Sequence, residues 1–158
     1  MIRKAKISDV KEIHKLINYY AQKGKMLPRS LNELYENLRD FFVKIEKNKV
    51  IGCAAIHIAW ENLGEIKSVA VASHYKGKSI GTSLLESCLK EAQELEIKKV
   101  FTLTYVPIFF ERFGFKRIKR EKLPHKIWAE CIHCPKFPNC DEIALIKNIT
   151  KQKSKSFR

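Results

Sequence analysis

The sequence lacks any long uninterrupted hydrophobic run, and it has no apolar segment near its first residue. Its longest stretches without a charged side chain are 50–60 and 100–110. Both are well short of the roughly 18 residues that would indicate a membrane-spanning helix. The opening residues, MIRKAKISDVKE, have no apolar core of the kind found in export signals. We therefore expect a cytoplasmic protein with no membrane partner.

Acidic residues are also few. The 158 residues include 31 Lys and Arg against 17 Asp and Glu, for a formal net charge of +14. The final segment KQKSKSFR supplies only four of the basic groups, so the excess is spread along the chain. Such a field favours anionic partners, among them nucleotide phosphates, carboxylate substrates and nucleic acid. A lysine-rich solvated surface is the plainer explanation of the same excess.

Length and composition predict a single globular domain. Apolar residues make up 45% of the chain, and a chain of this length buries enough surface to fold without disulfides or metals. There are no internal repeats. We assign the domain to residues 1–149 and expect the basic tail at 150–158 to be disordered.

A disulfide framework is not expected either, because the five cysteines are odd in number and no export signal precedes them. Cys53 and Cys88 fall within apolar patterns and are predicted to be small core residues. The other three have the spacing C-x2-C-x5-C: Cys131, Cys134 and Cys140. Together with His125 or His133 they could form a tetrahedral zinc site. One C-x-x-C without a second pair is weak support for zinc, so we favour packed thiols and predict no metal.

Hydrophobic periodicity predicts an alternation of helices and strands. The helices are expected at 8–22, 30–38, 79–96 and 108–112, with Ser8 and Ser30 as N-caps of the first two. The strands are expected at 2–6, 41–46, 50–60, 64–71, 99–104, 115–118 and 143–149. Residues 119–140 show neither period, which is typical of a functional loop. The order predicts a mixed α/β (α+β) domain with a largely antiparallel sheet and one strand-helix-strand crossover.

The most informative segment is GEIKSVAVASHYKGKSIGTSLLESCLKEA, residues 64–92. A strand ends, a basic loop with Gly77 follows, and a helix that contains Gly81 begins at Ser79. Unpaired N–H groups at a helix N-terminus, approached through glycine, bind phosphate or pyrophosphate. The glycine spacing matches neither a Walker A loop nor a dinucleotide fingerprint. A solvated turn is the alternative interpretation.

These residues resemble a known motif. Lys76-Gly77-Lys78-Ser79-Ile80-Gly81 resembles the acetyl-CoA motif of the GNAT acetyltransferases, Arg/Gln-x-x-Gly-x-Gly/Ala, with Lys76 and Ser79 as departures. PIFFERFGF at 107–115 resembles the helix-turn F-Y-E-x-x-G-F of that family. The order of strands and helices from residue 2 to 149 also fits. The resemblance implies the GNAT fold, with a mostly antiparallel sheet flanked by helices.

The resemblance also implies acetyl-CoA as cosubstrate and a set of residues that bind it. These are Val69, Ala70, Val71, Lys76, Gly77, Lys78, Ser79, Ile80, Gly81 and Thr82. The Val71 N–H would act as an oxyanion donor. Glu65 matches the position of the family's general base, although a carboxylate exposed at a strand end is an equal alternative. The family's tyrosine acid maps to Phe110, and Tyr105 could replace it or simply pack.

Within the family, the chain is similar to the acetyltransferase domain of N-acetylglutamate synthases. The supporting strings are GKMLPRS at 24–30, GEIKSVAV at 64–71, IFFERFGF at 108–115 and ECIHCPKFPNCDEIAL at 130–145. The similarity implies acetylation of the α-amino group of L-glutamate, the first step of arginine biosynthesis.

A dicarboxylate substrate needs cations. Arg29 is the first candidate, because a guanidinium binds carboxylates bidentately. Ser30 could add a hydroxyl, although capping a helix is at least as good an account of it. Arg112 and Lys126 are weaker candidates.

Alternatives remain open. A GNAT enzyme could instead acetylate a protein N-terminus, a lysine or another small amine, and the sequence does not separate glutamate from glutamine. A basic nucleic-acid-binding module ranks last, because no basic reading helix or aromatic stacking motif is present. A homodimer is one assembly that the sequence leaves open.

Overall fold

The computed structural model describes residues 1–123 and 141–149, and within them one seven-stranded mixed sheet carries helices on both faces. The strands are β1 Ile2–Lys4, β2 Phe41–Glu46, β3 Lys49–Trp60, β4 Leu63–Val71, β5 Lys99–Thr104, β6 Lys116–Arg117 and β7 Ile143–Asn148. The helices are α1 Val10–Gln22, α2 Leu31–Glu36, α3 Ile80–Glu94 and α4 Pro107–Glu111. Lys126, the three loop cysteines and the tail at 150–158 lie outside the described residues.

The sheet order is β1-β2-β3-β4-β5-β7-β6. Every neighbouring pair is antiparallel except β4 and β5, which are parallel and joined through α3. A parallel pair requires a crossover of this kind. The predicted mixed, largely antiparallel sheet with a single strand-helix-strand crossover is therefore confirmed.

The start of α1 differs from the prediction, because Ser8 does not cap it. Ser8 lies in a 3-10 turn, Ile7–Asp9, that precedes the helix. The Asp9 carboxylate instead accepts the Lys6 N–H at 2.7 Å and pairs with both terminal nitrogens of Arg3, at 2.7 and 3.1 Å. The Arg3 guanidinium holds the pKa of Asp9 below its usual value. The Asp9 carboxylate therefore closes the 3-10 turn and contacts β1, and it makes no capping hydrogen bond to α1.

The second predicted cap is present. Ser30 Oγ accepts the Glu33 N–H at 3.1 Å at the start of α2. The helix ends at Glu36 rather than Leu38, because Leu38–Asp40 forms a 3-10 turn that leads into β2. The β2–β3 hairpin turns on Lys47 and Asn48, whose φ angles of 50° and 62° are those of a tight two-residue turn.

The sheet is buried on both faces at its centre. On one face Ile56 and Ile66 pack against Leu84 and Leu85 of α3. On the other face Cys53, Ala55 and Ala70 pack against α1 through Ile13 and Ile17. Cys53 and Cys88 are fully buried, as predicted.

A β-bulge interrupts β4 at Ser68. Cys53 of β3 pairs with Ala70, whereas Ala55 pairs with Lys67, so Ser68 and Val69 both stand opposite Ala54. Ser68 has a left-handed φ of 57°, the conformation that glycine usually provides at the first residue of a G1 bulge. The bulge exchanges the two faces of the strand: Lys67 lies on the α1 side, and Val69 packs on the α3 side.

Beyond the bulge β4 and β5 separate. Their parallel ladder runs from the Leu63–Lys99 pair to the Ile66–Thr102 pair and stops there. The remaining residues of β4 continue to Val71, paired only with β3. The bulge and the separation together open the sheet at its centre.

Candidate active site

The separated ends of β4 and β5 form a cavity of about 650 Å³. Its floor is β4 from Glu65 to Val71, and one end is the loop and first turn of α3 at 75–82. The end of β5 and α4 form one wall, and Tyr20 of α1 together with Arg29 of the α1–α2 connection forms the other. A concave site with a few convergent polar groups is typical of small-molecule binding.

The structure brings most of the predicted site residues together here. Glu65, Arg29 and Arg112 line the cavity. So do nine of the ten predicted coenzyme residues: Val69, Ala70, Val71, Lys76, Gly77, Ser79, Ile80, Gly81 and Thr82. Lys78 and Ser30 are not among the lining residues. The Lys78 ammonium lies 5.4 Å from the centre of the Tyr75 ring, and Ser30 caps α2.

The backbone of Val71 faces the opening. The Ala72 N–H donates to the Ile51 carbonyl at 2.8 Å, and Ala70 stands opposite Cys53. Hydrogen-bonded and non-bonded positions alternate in an antiparallel pair, so the N–H and C=O of Val71 point away from β3. The Val71 carbonyl accepts the Tyr20 hydroxyl, and its N–H lies on the edge that β5 has left.

The loop before α3 is built from left-handed residues. Gly77 has a φ of 81° and Ser79 a φ of 61°, and α3 begins at Ile80. The Ser79 side chain does not cap the helix, so the N–H groups of its first turn keep their donor capacity. A Cβ at Gly81 would lie 3.6 Å from the Phe109 ring, so the helix start packs closely on α4. This geometry suits a pyrophosphate.

Glu65 lies partly buried on β4, directly opposite His57 of β3 and beside Phe101 of β5. Strand alternation turns it to the same side as Lys67, because Ile66 between them packs towards α3. A His57–Asp40 contact of 2.6 Å adjoins this face. A carboxylate at this place can accept a proton from a group in the cavity.

The backbone of Arg29 is fixed by a hydrogen bond, whereas one nitrogen of its guanidinium lacks a hydrogen-bond partner. Asn18 Nδ2 donates to the Arg29 carbonyl at 3.0 Å, and Arg29 Nη1 lies 3.4 Å from the Glu33 carboxylate. Its Nε is buried and has no hydrogen-bond partner, the one such side-chain nitrogen or oxygen atom in residues 1–123 and 141–149. Buried polar atoms are normally satisfied, so this donor is suited to a ligand.

Phe110 stands at the position where the family carries its tyrosine general acid, and a phenylalanine side chain cannot donate a proton. Phe110 lines the cavity, is 3% exposed and packs edge-on against Phe109 and Phe115. Tyr105 also lines the cavity, and its hydroxyl donates to the Asp141 carboxylate at 2.8 Å.

Sequence reasoning missed several lining residues, including Tyr20, Lys67, Thr104 and Phe109. For Lys67 a signal existed, since it lies two residues after Glu65 on a predicted strand and therefore on the same face. For Tyr20 there was none, because its hydroxyl reaches a carbonyl 51 residues away. The cavity lining has more cationic than anionic side chains, so the cavity favours anions. The cations are Lys25, Arg29, Lys67, Lys76 and Arg112, and the anions are Glu65 and Glu142.

The model of the acetyltransferase (GNAT) family matches residues 7–115. The chain belongs to the GNAT family. An uncharacterised N-acetyltransferase of Chlorobaculum tepidum is 41% identical over 148 residues, covering 94% of this chain and 96% of that protein. An amino-acid acetyltransferase of Mycobacterium tuberculosis is 36% identical over 133 residues, covering 82% and 76%.

Solved GNAT structures agree with this fold. A Mycobacterium tuberculosis protein in complex with CoA superposes with a TM-score of 0.83 at 30% identity, covering 95% of this chain and 99% of that one. N-acetylglutamate synthase from Neisseria gonorrhoeae, with coenzyme A and N-acetyl-glutamate, gives 0.86 at 24% identity, covering 95% and 35%. GNAT enzymes use acetyl-CoA as cosubstrate, and this chain is an acetyltransferase of that family. Across 1–123 and 141–149, no helix is long and apolar enough to cross a membrane.

Proposed function

We propose that this GNAT acetyltransferase transfers the acetyl group of acetyl-CoA to the α-amino group of L-glutamate, the first step of arginine biosynthesis. The observation that carries the proposal is the buried, unpartnered Nε of Arg29 at the cavity wall. A guanidinium with a free edge matches the two oxygens of a carboxylate. The cationic lining and the relatives named amino-acid acetyltransferases support an anionic amino acid as acceptor.

The coenzyme is proposed to lie along the end of β4 and the start of α3. Lys76 and the N–H groups from Gly77 to Thr82 would hold its pyrophosphate, with Val69 to Val71 beside the pantetheine arm. Nine of the ten residues assigned to it border one continuous cavity, which supports this path.

The chemistry is a direct attack. The glutamate nitrogen forms a bond to the acetyl carbon, the carbon–sulfur bond breaks, and the electron pair leaves on the CoA sulfur as a thiolate. Val71 N–H donates to the carbonyl oxygen as negative charge develops there. Glu65 takes one ammonium proton before the attack, directly or through water, and the second N–H proton passes to water or to the departing thiolate as the tetrahedral adduct collapses to the amide. A thiol pKa near that of cysteine, about 8.5, lets the thiolate leave without an acid at Phe110.

A thiol-release assay with acetyl-CoA and a panel of amino acids tests the proposal. Glutamate is expected to release CoA well above the blank, and Arg29→Gln to lower kcat/KM for glutamate roughly 10- to 100-fold, as for one lost charge-assisted contact. The KM for acetyl-CoA is expected to stay unchanged. Arg117→Gln is the matched control, because Arg117 pairs with Glu111 on the surface and is not a lining residue. If glutamate releases no more CoA than the blank, the assignment is wrong.

A further inference from the structure

Lys67 occupies a distinct position on the cavity floor. It lies on β4 between Glu65 and the Ser68 bulge, is partly buried and lines the cavity. Because Ile66 and Ala54 face α3, Glu65 and Lys67 face the α1 side together. Its cross-strand neighbour is Ala55, a buried apolar residue. The Lys67 side chain therefore rises from an apolar floor towards the α1–α2 connection.

The Lys67 ammonium forms no ion pair with a carboxylate in the described part of the chain. Within residues 1–123 and 141–149, no carboxylate forms an ion pair with it and no hydrogen bond engages it. A cation with three donors, partly removed from water, is stabilised by an anion. The lining carboxylates are Glu65 and Glu142, and neither is paired with Lys67. The vacant partner is best supplied by the substrate.

We propose that Lys67 binds the α-carboxylate of the acceptor amino acid. This inference rests on the proposed function and adds a second substrate cation to Arg29. The reacting nitrogen has to lie within reach of Glu65 and of the thioester beside Val71. Lys67 lies between these two residues along β4. In an amino acid the α-carboxylate carbon is only two bonds from the nitrogen. A nitrogen held near Glu65 and Val71 therefore places the α-carboxylate within reach of Lys67.

The assignment divides the recognition of glutamate between two cations. Lys67 recognises the group that every amino acid carries, and Arg29 is left for the side-chain carboxylate. A point charge suits the first role, because an ammonium places no geometric demand on the reacting end. The planar guanidinium suits the second, where the shape of the distal carboxylate selects the substrate.

The test compares three acceptors with wild type and Lys67→Met. The acceptors are glutamate, glutamine and the α-amide of glutamic acid, which lacks only the α-carboxylate charge. We expect Lys67→Met to lower kcat/KM for glutamate and for glutamine by a similar factor, roughly 10- to 100-fold. Activity on the α-amide should change little. Lys67→Gln provides a second neutral variant, and an unchanged KM for acetyl-CoA verifies an intact fold.

Lys49→Met is the matched control, since Lys49 is an exposed strand lysine outside the cavity. A loss on glutamate and on its α-amide that spares glutamine would instead assign Lys67 to the side-chain carboxylate, and an equal loss on all three acceptors would exclude carboxylate binding. If the proposed function is wrong, the wild-type enzyme will not acetylate glutamate. The role of Lys67 can then still be tested by comparing the preferred amino acid with its own α-amide. If the preferred acceptor has no α-carboxylate, both proposals are wrong.

Discussion

The hydroxyl oxygen of Tyr20 lies 2.5 Å from the carbonyl oxygen of Val71, which ties α1 to the end of β4 at the edge of the cavity. The Tyr20 ring is buried, and the Lys76 ammonium lies 4.6 Å from its centre. One side chain therefore joins the first helix, the open strand edge and the loop before α3.

Tyr20→Phe should loosen this junction while keeping the ring. We expect the free energy of unfolding to fall by about 1 kcal/mol, because the Val71 carbonyl loses its donor. The KM for acetyl-CoA should rise several-fold, since the edge of β4 is less firmly held. Urea denaturation and steady-state kinetics measure the two effects. Tyr35→Phe is the control, because Tyr35 is exposed and lies outside the cavity. If Tyr20→Phe has the same stability and KM as Tyr35→Phe, the hydrogen bond from Tyr20 to Val71 is unimportant.

Ser79→Gly should stabilise the protein. Ser79 holds a φ of 61° without a capping hydrogen bond from its side chain, and a left-handed conformation costs a non-glycine residue about 1–2 kcal/mol. Part of the gain is lost to the greater freedom of glycine in the unfolded chain, which leaves about 0.5–1 kcal/mol. The backbone donors are unchanged, so acetyl-CoA should bind as before.

The comparison for Ser79→Gly is Ser83→Gly, one turn further along α3. Ser83 has helical geometry and donates its hydroxyl to the Ser79 carbonyl, so glycine there should destabilise by about 0.5 kcal/mol. Thermal denaturation of both variants separates the effects. If both variants are less stable than the wild type, glycine does not relieve the strain at Ser79.

Glu65→Gln tests the proposed general base through pH. Below the pKa of the acceptor amine the ammonium predominates and a base is needed, whereas above it the amine is already neutral. We expect kcat/KM to fall roughly 100-fold at pH 7 and the deficit to shrink towards pH 9.5. Glu86→Gln on the exposed face of α3 is the control. A deficit that is constant with pH would assign Glu65 a structural role.

Burial raises the pKa of the Cys53 and Cys88 thiols to about 12 each. A variant with Ser at 131, 134 and 140 should therefore show no reaction with a thiol reagent at pH 8 when folded, and two reactive thiols when unfolded. Rapid labelling of the folded variant would contradict the burial of these residues.

The same shifts predict a loss of stability in alkali. The unfolded chain releases both thiol protons near their ordinary pKa of about 9, whereas the folded chain retains them. The unfolded state therefore binds fewer protons above pH 9, and the free energy of unfolding falls as pH rises. The decline between pH 8 and 10.5 should be smaller in a Cys53→Ala/Cys88→Ala variant, and an equal decline would exclude the thiols as its cause.

Much of the fold was predictable because it depends on local periodicity. The strands at 41–46 and 99–104 agree with β2 and β5 residue for residue, and the Ser30 cap is present. The Ser8 cap was wrong because residues Ile7–Asp9 form a 3-10 turn, so that α1 begins only at Val10. Glu65, Arg29 and the loop at 76–82 were found from motif and residue type, whereas Tyr20 and Lys67 were not.

The sequence by itself determined which residues form helices and strands, which of them are apolar enough to be buried, and that a basic glycine-containing loop precedes α3. These properties depend on neighbours within a few positions along the chain. Only the tertiary structure decided where β4 bulges, where it separates from β5, and which charged side chains meet in the resulting cavity. Those outcomes depend on strand register and on contacts between residues far apart in sequence, such as Tyr20 with Val71, and no local pattern encodes them.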